Sequence, residues 1–143
     1  MRIPPFVIAG LLGLILVGQS VLLARSPLQQ EKQDKLMVLW TSGDREVALK
    51  MVFMYTFNAK KRDWWGQVRF VVWGPSSKLL SEDQELQKGI KEMLDAGVEI
   101  QACKACADMY GVSDKLASLG IEVKYMGVPL TNMLKDGWAT LTF

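Results

Sequence analysis

Residues 97–111 read GVEIQACKACADMYG. Gly97 to Ala102 is a short β-branched run of the kind that forms a buried strand. Ala105 to Tyr110, closed by Gly111, has the length and the ending of a short helix. Between them stand Cys103 and Cys106, the only cysteines in 143 residues. A thiol where a strand hands over to a helix faces unpaired backbone N–H groups and the positive end of a helix dipole, and both favour thiolate over thiol. The thiolate is the reactive form, so this junction is where chemistry is expected. Cys106, one turn inside the helix, meets fewer free N–H groups and is expected to be the less acidic of the two.

The same alternation continues on both sides. Upstream, Leu36 to Thr41 is an apolar run of strand length, turned by Ser42-Gly-Asp44. A helix over about 44–62 follows, with Val47, Ala48, Met51, Val52, Tyr55 and Ala59 on one face. Gln67 to Trp73 is a second strand stopped by Gly74-Pro75. Ser81 and Gln84 form a capping-box pattern that opens the next helix, whose buried face carries Leu86, Ile90, Met93 and Leu94. Downstream, Ser113 to Leu119 reads as a helix, Ile121 to Tyr125 as a strand, Pro129 to Asp136 as a helix and Trp138 to Phe143 as a last strand. Strands alternating with helices in this way predict an α/β fold with a mostly parallel sheet covered on both faces. If the strand order is the flavodoxin-like 2-1-3-4-5, the loop Ser42-Gly43-Asp44 and the Cys103 loop meet at one crevice, where such folds bind ligands.

Composition narrows the chemistry. Half the chain is hydrophobic, 22% is charged, and the net charge is only +2. Mixed charge without a basic stripe argues against a nucleic-acid partner. There is no histidine, which excludes Ser-His-Asp and Cys-His catalysis and any His-containing metal site within one chain. Two cysteines alone do not make a four-ligand zinc site. No metal and no cofactor is expected.

Ile3 to Ala24 carries no charge over 22 residues. As a helix it would span ~33 Å, enough to cross a bilayer core. Its densest part, Phe6 to Gly18, also has signal-peptide length. Val21 to Ala24 continues the apolar run and no clean Ala-x-Ala is present, which favours an uncleaved single-pass anchor. The short basic amino terminus resembles an export signal and favours the exported side. The division that follows is an anchor or signal over 1–25, a polar tether over 26–34 and an α/β domain over 35–143.

The stretches Ala102 to Val112, Leu119 to Gly127 and Leu141 to Phe143 resemble the DsrE/DsrF-like sulfur-relay family. The resemblance covers roughly Lys35 to Phe143 and is most specific in the last third. It implies a flavodoxin-like three-layer fold and assembly into trimers or hexamers. It also implies a persulfide-carrying cysteine at the start of the third helix, with a glycine eight residues later. Cys103 and Gly111 match that spacing, so Cys103 inherits the role of sulfur carrier. The implied partners are sulfur donor and acceptor proteins or small thiols, with the membrane engaged through the amino-terminal segment. The soluble members of the family lack that segment.

Each candidate has a plainer reading beside it. Cys103 is reactive or simply a small buried residue. Cys106 resolves a persulfide, forms a disulfide, or packs inside the helix. Lys104 stabilises the thiolate or is an exposed lysine. Ser42 and Asp44 touch a ligand or cap a helix. Trp64 and Trp65 pack beneath a helix end, or form a docking patch or a contact with the membrane interface. The methionines, Met51, Met54 and Met93 among them, read as core. The pair also suits a thiol–disulfide oxidoreductase, and the domain also suits a non-catalytic oligomeric binding module.

Overall fold

The computed structural model describes residues 34–143. The anchor and most of the tether expected from the sequence lie outside the described residues. Among the described residues no helix is long and apolar enough to cross a membrane.

Five strands form one all-parallel sheet: β1 (Lys35–Trp40), β2 (Gln67–Val72), β3 (Glu99–Cys103), β4 (Glu122–Lys124) and β5 (Ala139–Thr142). Their order is β4-β3-β2-β1-β5. This is not the flavodoxin-like order, and β1 and β3 are separated by β2. The physical reason lies in the connections. Each of the first three crossovers steps the same way across the sheet, and only the last steps back past β1. Parallel crossovers are right-handed, so a constant step puts every early helix on one face and a reversed step puts the last helix on the other.

The two faces are accordingly unequal. Leu36, Val38, Trp40, Val68, Phe70, Val72, Ile100 and Ala102 point into the larger core. Covering it are α1 (Arg45–Val47), a π-helical segment (Ala48–Phe53), α2 (Met54–Lys61), α3 (Pro75–Glu82), α4 (Gln84–Asp95), α5 (Lys104–Met109) and α6 (Ser113–Ser118). The centre of that core is aromatic. Phe70 stacks on Trp40 with ring centres 5.8 Å apart, and Phe53 meets both edge-on at 5.3 and 5.6 Å. Met37, Val71 and Cys103 point the other way, into a small cluster closed by Met126 and Met133. That face is covered by α7 (Gly127–Lys135).

Beyond α7 the second face is polar. Glu99 accepts from Gln67 Nε2 at 2.7 Å and from Arg69 Nε at 2.9 Å. Glu122 accepts from Gln101 Nε2 and Lys124 Nζ, each at 2.8 Å. The Arg69 guanidinium lies 4.7 Å from the centre of the Trp138 ring.

Three details depart from the expected helices. First, Met51 and Met54 are 51% and 59% exposed, whereas Met93 is buried. The π-helical segment explains this. Its wider turn brings Ala48, Val52, Phe53, Thr56 and Ala59 inward and turns Met51 and Met54 out. Phe53 can enter because Gly89 on α4 has no side chain: a Cβ there would lie 2.7 Å from the Phe53 ring. Second, a separate helix, α3, fills the stretch between the strand stop at Gly74-Pro75 and the expected capping box. It begins at Pro75, whose fixed φ suits the first helical turn. Third, the capping box is displaced. Ser81 lies inside α3 and donates to the Lys78 carbonyl, while Asp83 caps α4 by accepting from Glu85 N at 2.9 Å and Leu86 N at 3.0 Å. Asp83 also accepts from Arg45 Nε at 2.6 Å, joining α4 to α1. Replacing Asp83 with alanine is expected to cost about 1 kcal/mol, the usual worth of such a cap, read as a lowered urea midpoint at unchanged slope.

Candidate functional site

Cys103 closes β3 and is at the same time the N-cap of α5, with φ −69° and ψ 109°. Strand alternation sends Ala102 into the larger core and Cys103 to the opposite face. There Cys103 is 4% exposed, packed with Met37, Val71, Met126 and Met133. Cys106 lies one helical turn on, half-buried against the same cluster, and the two thiols are free. Leu39, Trp73 and Leu130 complete the apolar wall. The backbone continues past the site because Gly111 adopts φ 67°, a conformation suited to glycine, and so ends α5.

The two thiols lie close enough for each to influence the other's ionisation. Burial pushes the Cys106 thiol above its ordinary range, and its contact with the Cys103 sulfur pushes it the same way. The nearby Gly74 backbone acts in the opposite direction. The consequence is testable by pH. With Cys103 replaced by alanine the raising contact disappears, so Cys106 should ionise at lower pH than in the parent. The check is its alkylation rate against pH; an unchanged profile would show that burial alone sets it.

Gly74 is a site residue that sequence reasoning missed. Its φ of 71° and ψ of −133° belong to glycine, and open space surrounds its Cα, so the backbone and not crowding requires glycine here. The Gly74-Pro75 pair was legible as a strand stop. Its part in the site follows from β2 lying beside β3, which the flavodoxin-like order hid.

The other expected residues fall elsewhere. Asp44 caps α1, accepting from Glu46 N at 2.8 Å and Val47 N at 3.1 Å, and Ser42 Oγ accepts from Asp44 N at 3.0 Å. Both therefore serve the capping role. Gly43 lines a shallow cavity of about 280 Å³ with Pro75, Lys78, Leu79, Glu82 and Tyr110. That cavity reaches the far end of α5, not the thiols. The expected single crevice is conditional on β1 and β3 being neighbours; here β2 and its Gly74 turn stand between the Ser42-Gly43-Asp44 loop and Cys103. Lys104 donates to both carboxylate oxygens of Asp108, at 2.8 and 2.7 Å, and Ser113 Oγ donates to the same group at 2.6 Å. The Asp108 carboxylate holds the Lys104 ammonium charged, and Lys104 also lies 5.9 Å from the Tyr125 ring centre. Among the described residues no three cysteine or acidic side chains converge as metal ligands would.

Comparison with known proteins agrees with this geometry. Residues 34–143 match the model of the DsrE/DsrF-like family. A conserved protein of unknown function from Bacteroides thetaiotaomicron is 42% identical, superposes with a TM-score of 0.75, and the match covers 77% of this chain and 95% of that one. A protein of unknown function from Methanobacterium thermoautotrophicum has 22% identity and a TM-score of 0.60, with 76% and 99% covered. The ychN protein from E. coli has 16% identity and a TM-score of 0.59, with 76% and 97% covered. The last two likenesses concern the fold alone. No functionally curated protein matches the chain.

Proposed function

The chain belongs to the DsrE/DsrF-like family, and from that membership we propose that its α/β domain is a membrane-tethered sulfur carrier, loaded as a persulfide on Cys103. The observation that carries the reading is the thiol pair itself. Cys103 stands at the strand-to-helix junction in a buried apolar cluster, with the free thiol of Cys106 one helical turn on against the same cluster.

Loading is a sulfur transfer without net oxidation. The Cys103 thiolate attacks the outer sulfur of a donor persulfide. The new bond joins that sulfur to Cys103, the donor's S–S bond breaks, and the donor leaves as a thiolate. Delivery follows by either of two routes. An acceptor thiolate attacks the outer sulfur and restores the Cys103 thiolate. Alternatively Cys106, once deprotonated, attacks the Cys103 sulfur and expels hydrosulfide, leaving a Cys103–Cys106 disulfide that a partner dithiol must reduce. Donors and acceptors are other proteins or small thiols. The decisive measurement is the intact mass after exposure to a persulfide donor. Gain of one sulfur atom, reversed by a thiol acceptor, is the expected result. A mass that never changes would overturn the reading. The same pair in contact also suits thiol–disulfide exchange, and reduction of a protein disulfide without any sulfur gain would favour that reading.

Two further parts belong to the proposal. The uncharged run of residues 3–24 anchors the domain, on the exported side. The domain also self-associates as a trimer or hexamer. Support for self-association comes from the second sheet face. Past α7 it is open and polar, Val128 and Leu134 on α7 are 71% and 54% exposed, and the buried Gln101 leaves its carbonyl oxygen without a partner among the described residues. A donor from a second copy would satisfy it.

A further inference from the structure

Because every strand runs the same way, the two ends of the sheet differ. The thiols stand at the carboxyl end. Asp34, the first described residue, lies at the other. There its Oδ1 accepts from Gly66 N at 2.7 Å and its carbonyl accepts from Gln67 N at 2.9 Å. The uncharged run that ends at Ala24 therefore joins the domain beside the loop Arg62–Gly66, through a link of ten residues, 25–34. Fully extended, such a link reaches at most ~35 Å.

That loop turns on Asp63, a non-glycine residue at φ 51°. Such a conformation is uncommon without a glycine. Its effect is to present Trp64, which is 51% exposed. The Trp64 ring is steadied by Tyr55, with centres 5.9 Å apart. Its neighbour Trp65 behaves differently: it packs on the larger core, and its Nε1 donates to the Tyr55 hydroxyl at 3.3 Å. One of two adjacent indoles is thus used by the fold and the other is offered outward. Lys60, Lys61 and Arg62 lead into this loop, but Asp34, Asp63 and Asp95 share the same end, so local charge is close to balanced. Lys60 is engaged by the Gly66 carbonyl at 2.6 Å, and Lys61 lies over the Phe57 ring at 4.8 Å. What this end offers a partner is an indole with an apolar body and a polar N–H. That combination suits the headgroup layer of a bilayer.

We propose that the amino end of the sheet rests on the bilayer surface, with Trp64 seated among the lipid headgroups. The inference rests on the tethered reading above. It adds an orientation: the six-residue β1 and β2 hold the thiol pair about 20 Å farther from the lipid, at the end of the sheet turned away from the bilayer.

The test uses the full chain reconstituted in phosphatidylcholine vesicles, with or without bromine placed high on one acyl chain. Wild type, Trp64→Phe and Trp65→Phe are compared. Phenylalanine keeps an aromatic ring against Tyr55, so the fold is retained. Brominated lipid should remove close to the share of one of the five indoles from the tryptophan emission of wild type and Trp65→Phe, and this loss should vanish in Trp64→Phe. Equal quenching in wild type and Trp64→Phe, or none in a wild-type chain that withstands alkaline carbonate washing, overturns the surface contact and leaves the tether standing. A chain that the wash strips from the vesicles overturns the tether and this inference together.

Discussion

Replacing Cys103 with serine should reduce persulfide loading to background, whereas replacing Cys106 with serine should leave loading intact and slow release. The asymmetry follows from the geometry. Cys103 stands at the strand-to-helix junction, whereas burial and the contact with Cys103 push the Cys106 thiol above its ordinary range. A serine hydroxyl at 103 is no sulfur nucleophile, so no covalent carrier remains. A serine at 106 cannot attack Cys103, so release by internal disulfide formation disappears and only direct transfer to an acceptor survives. Both single variants are compared in a loading and release assay followed by intact mass. Sulfur found only on Cys106 would reverse the roles. Wild-type behaviour in both variants would replace the carrier reading with the binding-module one.

Phe70→Ala should destabilise the domain by roughly 3–5 kcal/mol, the range for deleting a buried phenylalanine. Phe70 is fully buried at the middle of β2 and touches both Trp40 and Phe53. Removing it leaves a void between the sheet and the π-helical segment, bounded by two rings that cannot both close inward. Against a usual domain stability of about 5–15 kcal/mol, this is a large share. Thermal and urea unfolding of residues within the full chain would read it. A loss below about 1 kcal/mol would mean that the aromatic centre does not hold the helical layer to the sheet.

The alternation of strands and helices was legible because each element announces itself locally. Runs such as Leu36 to Trp40 and Phe70 to Val72 are apolar on both faces, which suits a covered parallel sheet. The helix over 84–95 shows its buried residues Leu86, Ile90 and Met93 at helical spacing. Misreadings arose where tertiary contacts override local pattern. Ser76 and Ser77 carry no apolar pattern of their own, yet both are buried in α3, and Ser76 Oγ donates to the Trp40 carbonyl at 2.6 Å. Met51 fits the buried face of a regular helix, and only the fit of Phe53 against Gly89 reveals why the turn widens and expels it.

By itself the sequence determined the two cysteines, their place where a strand becomes a helix, and the absence of histidine. These are matters of spacing and composition. Strand order came only with the tertiary structure, because the direction of each crossover depends on which face the intervening helix covers. That order separates β1 from β3, sends Ser42 and Asp44 to helix capping, and brings the Gly74 backbone near Cys106. The burial of Cys103 beside Cys106 is likewise a property of packing. It depends on Met37, Val71, Met126 and Met133, drawn from three strands' worth of chain separation, closing around Cys103 and keeping water out.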